Sequence, residues 1–228
     1  MNYVELNGVK STTIQGLLIQ TLPPISKPRQ RTRVEEIDGR DGDIIYSLGY
    51  SAYDKEFSIG LHGTYDVDQV IAFFNSSGTV TFSNEPEKYY RYEITDQIDF
   101  ERLLRWKQAK VKMHVQPFKY KVGEETTGTG NITLVNEGNI YSRPRITVHG
   151  SGIVDMSLNG SQILSLNIGD SEYITIDAEE MNAYQGTALA NRRVTGDYDA
   201  LRLNVGSNSI TFSGAVTEVF CELYSRWL

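Results

Sequence analysis

Between Gln116 and Gly150 the chain changes character, and that change limits what it can fold into. QPFKYKV closes a strand-like stretch at an aromatic edge. GEETTGTGN follows, a Gly/Thr/Glu tract too polar and too flexible to build a core of its own. ITLVNEGNIYSRPRITVHG then opens a new series of alternating strands. The pattern predicts two β-rich domains, residues 1–122 and 132–228, joined by a linker over 123–131.

Charge supports the same cut. Residues 1–122 hold 16 Lys and Arg against 16 Asp and Glu, whereas residues 123–228 hold 6 Arg, no Lys and 13 acids. The net charge of −7 therefore lies in the second half, which argues against nucleic-acid binding there by counterion release. A length of 228 residues suffices for two modest cores. No apolar run reaches the roughly 18 residues of a membrane span, and MNYVELNGVKSTTIQG has no basic-then-apolar secretory pattern, so assembly in a cytoplasm is expected. A single cysteine, Cys221, excludes an internal disulfide; its place in the alternation Thr217, Val219, Cys221, Leu223 predicts a buried, inert thiol.

Along the first half, Asn7-Gly8 predicts the tight turn of a short hairpin within Met1–Ile19. Leu22–Pro28 holds three of the six prolines and is expected to be extended. A basic run, Lys27, Arg29, Arg31 and Arg33, then meets an acidic run, Glu35, Glu36, Asp38, Asp41 and Asp43. So charged a segment reads as an arm or loop crossing the surface, with Ile44–Tyr50 and Lys55–Leu61 as the next strands. One helix is predicted over 66–76, with Asp66 at its N-terminus, Val67, Val70, Ile71 and Phe74 on one face, and Gly78 as its stop. Thr79–Phe82 and Tyr90–Ile94 read as strands. Phe100–Trp106 fits a helix or a bent strand, and Val111, Met113 and Val115 alternate with Lys110, Lys112 and His114.

The second half predicts eight short strands: Ile132–Val135, Ile146–His149, Val154–Leu158, Ile163–Leu166, Tyr173–Ile176, Leu201–Val205, Ile210–Phe212 and Thr217–Tyr224. Asn159-Gly160 and Ser207-Asn208 are the expected hairpin turns, and Glu179–Tyr184 one helical turn. Such spacing is that of a β-sandwich or jelly roll.

No catalytic signature is present: no GxSxG, HExxH, GxxxxGK[ST] or GxGxxG. His62, His114 and His149 are far apart, and DGRDGD at 38–43 puts Arg40 where a calcium loop needs a ligand, so a turn explains its glycines. The carboxylate pairs Glu85/Glu87 and Asp177/Glu179 have the i, i+2 spacing that acid–base chemistry needs, but among 29 acids structural or solvated roles are favoured. No cofactor, metal or catalytic residue is expected. Alternating Arg29, Arg31 and Arg33 suits ordered contacts across a protein interface, which marks the arm at 22–43, with the charged residues from Arg29 to Asp43, as the candidate inter-subunit contact.

In order and spacing, several segments resemble the distal tail proteins of long, flexible-tailed phages or prophages of Gram-positive hosts. They are EEIDGRDGD (35–43), IAFFNSSGTVTFSNEPEKYYRYEIT (71–95), WKQAKVKMHVQPFKY (106–120), NEGNIYSRPRITVHGSG (136–152), ITIDAEEMNAY (174–184) and YSRWL (224–228). The resemblance implies a mainly β chain. Its N-terminal domain would be a tail-tube-like barrel or sandwich with one helix, and its C-terminal domain a galectin-like β-sandwich. It also implies a non-enzymatic homo-hexameric ring at the virion tail tip. Such a ring joins the tail tube protein to the tail-associated protein and anchors receptor-binding or baseplate proteins, while DNA passes through its lumen without specific binding. The alternative reading is a carbohydrate-binding protein acting through the C-terminal sandwich, with Tyr141, Tyr184 and Tyr198 as sugar contacts.

Overall fold

The computed structural model describes residues 1–74 and 77–228 and is mainly β. The chain divides into two compact units, Met1–Val122 with Leu228, and Gly123–Trp227.

In the first unit the strands are β1 (Val4–Leu6), β2 (Val9–Lys10), β3 (Leu17–Ile19), β4 (Gln30–Glu36), β5 (Asp43–Tyr50), β6 (Tyr53–Leu61), β7 (Ser77–Phe82), β8 (Lys88–Glu93) and β9 (Gln108–Lys121). Helix α1 (Val67–Phe73) lies between β6 and β7, and α2 (Phe100–Trp106) between β8 and β9. All but β4 and β5 join one sheet in the order β2-β1-β7-β8-β9-β6-β3. The β1–β2 turn forms at Asn7-Gly8, both with positive φ (50° and 82°), as the hairpin signal requires. Val111, Met113 and Val115 are fully buried, each contributing roughly 1.5–3 kcal/mol of apolar burial, while Lys110 and Lys112 on the other face pair with Glu56 and Asp54. Pro117 donates no ladder hydrogen bond; it falls where β8 and β9 slip register between Tyr90 and Tyr92, so the slip accommodates it.

Helix α1 starts as expected, the Asp66 carboxylate accepting from the Asp68 and Gln69 amides at 3.0 and 3.3 Å. Its core face differs from expectation: Val70 and Phe73 are buried beside Phe74, whereas Ile71 is exposed. The chain leaves the helix at Phe74, and Gly78 is no stop but a residue of β7 opposite Tyr92, pressed against Asn7. Residues 75–76 of the expected helix lie outside the described residues. Phe100–Trp106 resolves as a second helix because Asp99 caps the Arg102 amide at 2.8 Å and Leu103 is buried.

The second unit contains β10 (Glu125–Gly128), β11 (Ile132–Asn136), β12 (Arg145–Leu158), β13 (Ser161–Asp177), β14 (Asn182–Gln185), β15 (Ala188–Leu189), β16 (Val194–Gly196) and β17 (Gly206–Glu222). Six of the eight expected short strands merge pairwise into the long strands β12, β13 and β17. These bend near 150–155, 167–172 and 213–216, where their registers shift. Each half of a bent strand then takes different neighbours: β17 pairs with β11 through Gly206–Ile210 and with β10 through Val219–Glu222. The sheet thus folds over one apolar core that includes Ile146, Val154, Leu166, Ile176 and Cys221. The thiol of Cys221 is buried and its pKa is pushed up by desolvation, in keeping with an inert role.

Four expectations are corrected here. The Gly/Thr/Glu tract is not a bare linker, since Glu125–Gly128 pairs with β17. Leu201–Val205 is not a strand; Leu203 makes only an isolated bridge to Ser142. Ser207-Asn208 lies within β17, because Asn208 pairs with Leu134 rather than turning. Glu179–Met181 form a turn that leads into β14, not a helical turn, since Asp177 accepts from the amides of Glu179 and Glu180.

Candidate interaction surface

The segment expected to be an arm or loop, followed by a strand at Ile44–Tyr50, is a β-hairpin. Among the described residues, strands β4 and β5 pair with each other and with no other strand, forming a two-stranded sheet apart from the main one. Its turn is DGRDGD, where Gly39 and Gly42 take positive φ (82° and 76°), which accounts for that motif without a metal. An isolated two-stranded hairpin is marginally stable in water. This one also leaves large apolar side chains uncovered: Val34, Ile37, Tyr46, Leu48 (53% exposed) and Ile45 (66%). Bare apolar side chains on both faces of a hairpin suit it to contact with a partner.

Register assigns the two faces. Arg33 lies opposite Tyr46 and Glu35 opposite Ile44, while Val34 lies opposite Ile45 and Glu36 opposite Asp43 on the other face. Arg31 donates to the Leu48 carbonyl at 3.0 Å, and Arg33 reaches Glu35 at 3.7 Å with both side chains exposed, a pair worth at most about 1 kcal/mol. Arg29, Asp38, Asp41 and Asp43 are all exposed, and at the hairpin base the Arg29 carbonyl accepts from the Ser51 amide. Sequence reading found the charges of this segment but not its apolar surface, although Ile44, Ile45, Tyr46 and Leu48 signal it by placing apolar side chains on both faces of one strand.

The three tyrosines considered for sugar contact have different surroundings. Guanidinium groups surround the Tyr141 ring, with Arg226 at 4.5 Å, Arg202 at 5.0 Å and Arg143 at 6.0 Å from its centre. Arg202 and Arg143 converge on Asp199, and their hydrogen bonds hold that carboxyl down at about 2. Tyr184 donates to Glu180. Tyr198 packs on the core, and its buried hydroxyl has no partner among the described residues.

One member of each carboxylate pair is engaged structurally. Glu85 accepts from Lys119 at 2.7 Å and from the Tyr90 hydroxyl at 2.8 Å, and Asp177 accepts from Arg145 at 2.8 Å. His114 meets Asp54 at 2.8 Å, His149 packs on Tyr173, and His62 is exposed. Among the described residues no group of three His, Cys, Asp or Glu is placed to hold a metal, and no helix is long and apolar enough to cross a membrane.

A curled sheet with a separate two-stranded hairpin, followed by a unit of long bent strands, makes up a mainly β fold of the Dit-like kind. It is similar to the SPP1 Dit protein, described as a paradigm of the hub adsorption apparatus in Gram-positive-infecting phages, at TM-score 0.66 and 18% identity over 100% of both chains. A chain of the phage P2 baseplate in its activated conformation with Ca is also similar, at TM-score 0.55 and 9% identity over 97% of each chain. Another, from the P2 baseplate activated with Sr, gives TM-score 0.51 and 10% identity over 96% of this chain and 98% of that one. No family model and no curated protein matches the sequence.

Proposed function

We propose that this chain is a non-enzymatic structural hub at the distal end of a phage tail. In this reading it closes into a homo-hexameric ring that connects the tail tube to the tail-associated protein and anchors baseplate or receptor-binding proteins. The observation that carries the reading is the likeness to SPP1 Dit over the full length of both chains, which takes in both units and not a shared module alone. In this reading the N-terminal unit, residues 1–122, forms the ring.

Physical features of the chain support a ring. Closure by rotation needs a heterologous contact, in which one surface of a subunit meets a different surface of the next. A hairpin that stands off its sheet with its apolar side chains bare is suited to such a contact, because its burial offsets the marginal stability of two strands alone. Residues 1–122 balance 16 Lys and Arg against 16 Asp and Glu, so the ring-forming unit offers DNA no net attraction, which suits a lumen that passes a genome without specific binding. The site of action is the virion tail tip, after assembly in the cytoplasm of a Gram-positive host.

Native mass spectrometry across a concentration series, alone and with the tail tube protein, tests the reading. The expected species lies near six times 25.7 kDa. A chain that stays monomeric in both settings would overturn it.

A further inference from the structure

Helix α2 carries a second uncovered surface. Arg102, Arg105 and Trp106 fall at i, i+3 and i+4, which places them on one side of the helix, where with Asp99 and Glu101 they line an open hollow of about 290 Å³. Trp106 is 71% exposed, and Leu104 beside it is exposed as well. The acids of this helix do not neutralise the arginines. Asp99 is committed to the helix N-terminus, and among the described residues no ion pair joins Glu101 to either guanidinium. Trp and Arg together in an uncovered hollow are the composition of an interface hot spot.

The hairpin arm has the complementary face. Val34 and Ile45 oppose each other there, and one step toward the turn Glu36 opposes Asp43. Like charges directly across a strand pair repel, and among the described residues no cation relieves them. The turn adds Asp38 and Asp41 against one Arg40. An apolar pair beside an acidic pair on the arm thus matches an apolar ring beside two guanidinium groups on α2.

We infer that the Val34/Ile45/Glu36/Asp43 face of one copy seats on the Arg102/Arg105/Trp106 surface of a second copy of this chain. The inference rests on the hub reading and specifies the contact that would close its ring. Trp106 lies over the Val34–Ile45 pair, and the two arginines take the Glu36 and Asp43 carboxylates, removing the cross-strand repulsion. The two surfaces are different regions of the chain, so the contact is heterologous and repeats from copy to copy.

Charge exchange and cross-linking on the full chain test it. Glu36→Arg with Asp43→Arg, and separately Arg102→Glu with Arg105→Glu, should each lower the association constant at least about tenfold, and combining all four should restore most of it. Trp106→Ala should lower it by a similar factor, while circular dichroism stays that of the folded chain. Ile45→Cys with Trp106→Cys should give a ladder of disulfide-linked multimers on oxidation, because Cys221 is buried. If the wild-type ring forms but the charge variants assemble normally and no ladder appears, the seat is wrong and α2 faces another tail protein, while the hub reading survives. A wild-type chain that never assembles, alone or with the tube protein, overturns both.

Discussion

Glu85 and Lys119 form a 2.7 Å ion pair with only 10% and 8% of their side chains exposed, inside a chain whose other carboxylates are mostly solvated. The pair is surrounded by Tyr90, whose hydroxyl donates to Glu85, and by Lys55, whose ammonium lies 4.7 Å from the Tyr90 ring centre and donates to the Pro24 carbonyl at 2.8 Å. Asn84 and Tyr53 donate to the Pro23 and Ser26 carbonyls, so this network fixes the Pro-rich segment that leads to the hairpin. Removing one member leaves an uncompensated buried charge. Glu85→Gln or Lys119→Met is expected to cost about 3–5 kcal/mol in urea unfolding, and the double variant Glu85→Met/Lys119→Met distinctly less than the sum of the two. Additive losses would mean that the two groups are not coupled.

Lys55 gives the same region a distinctive alkaline response. Burial lowers its pKa from 10.5 to about 8, despite support from Glu85. A base whose folded pKa is depressed binds fewer protons folded than unfolded between those values, so its penalty is full below pH 8 and fades as pH rises toward 10.5. The gain is about 3 kcal/mol at most, and above pH 10 it is opposed by Tyr90, whose hydroxyl burial keeps protonated in the fold while the unfolded chain ionises. Stability measured from pH 8 to 10 should therefore rise in the wild type relative to Lys55→Met. Parallel profiles would exclude Lys55 as the source.

Asp177 organises a turn and does not stand ready for chemistry. Its carboxylate takes two hydrogen bonds from Arg145, at 2.8 and 3.0 Å, and one each from the amides of Glu179 and Glu180, both 2.9 Å. Asp177→Ala should cost about 3 kcal/mol, and Asp177→Asn, which keeps an acceptor but loses the charge, about 1–2. Thermal unfolding reads both. Equal stability in all three proteins would show that the turn does not depend on this side chain.

The bend of the long strands has its own requirement at Gly150. A Cβ there would lie 2.1 Å from the Ala215 carbonyl oxygen, so Gly150→Ala must move backbone and is expected to cost at least about 3 kcal/mol. Gly152, two residues on, has open space around its Cβ position and φ +70°, so Gly152→Ala should cost only about 1–2 kcal/mol of backbone strain. Denaturant midpoints of the two variants decide it, and a reversed order would contradict the tight strand crossing at 150.

On the hairpin, Arg33 faces away from the Val34/Ile45 side, so the triple charge reversal of Arg29, Arg31 and Arg33 to Glu tests the opposite face of the arm as a further subunit contact and should weaken assembly. Its effect on the unfolding of the subunit should stay within about 1 kcal/mol, because these side chains make only exposed contacts. Native mass and a melting curve on one preparation separate the two effects. A ring of normal mass would remove the arginine face from the contact.

Alternation and turn chemistry made most elements legible. The hairpins at Asn7-Gly8 and Asn159-Gly160, the Asp66 cap, the alternation of Val111, Met113 and Val115, and the buried Cys221 all follow from local pattern. What stayed hidden was register and context. Nothing local says that 146–149 and 154–158 are one strand, because the bulge at 150–155 is set by its partners on β13 and β17. Phe100–Trp106 fits either element by local pattern, and the Asp99 cap and the burial of Leu103 decide for a helix.

The sequence by itself determined a β-rich chain, a change of composition near residue 123, and a charged segment at 29–43, since periodicity, turn residues and charge are local properties. Only the tertiary structure decided which apolar residues remain outside. Ile45 and Val111 are equally apolar strand residues, yet one sits on a two-stranded hairpin in solvent and the other in the core. Burial depends on which strands come to lie over a side chain, and long-range pairing settles that.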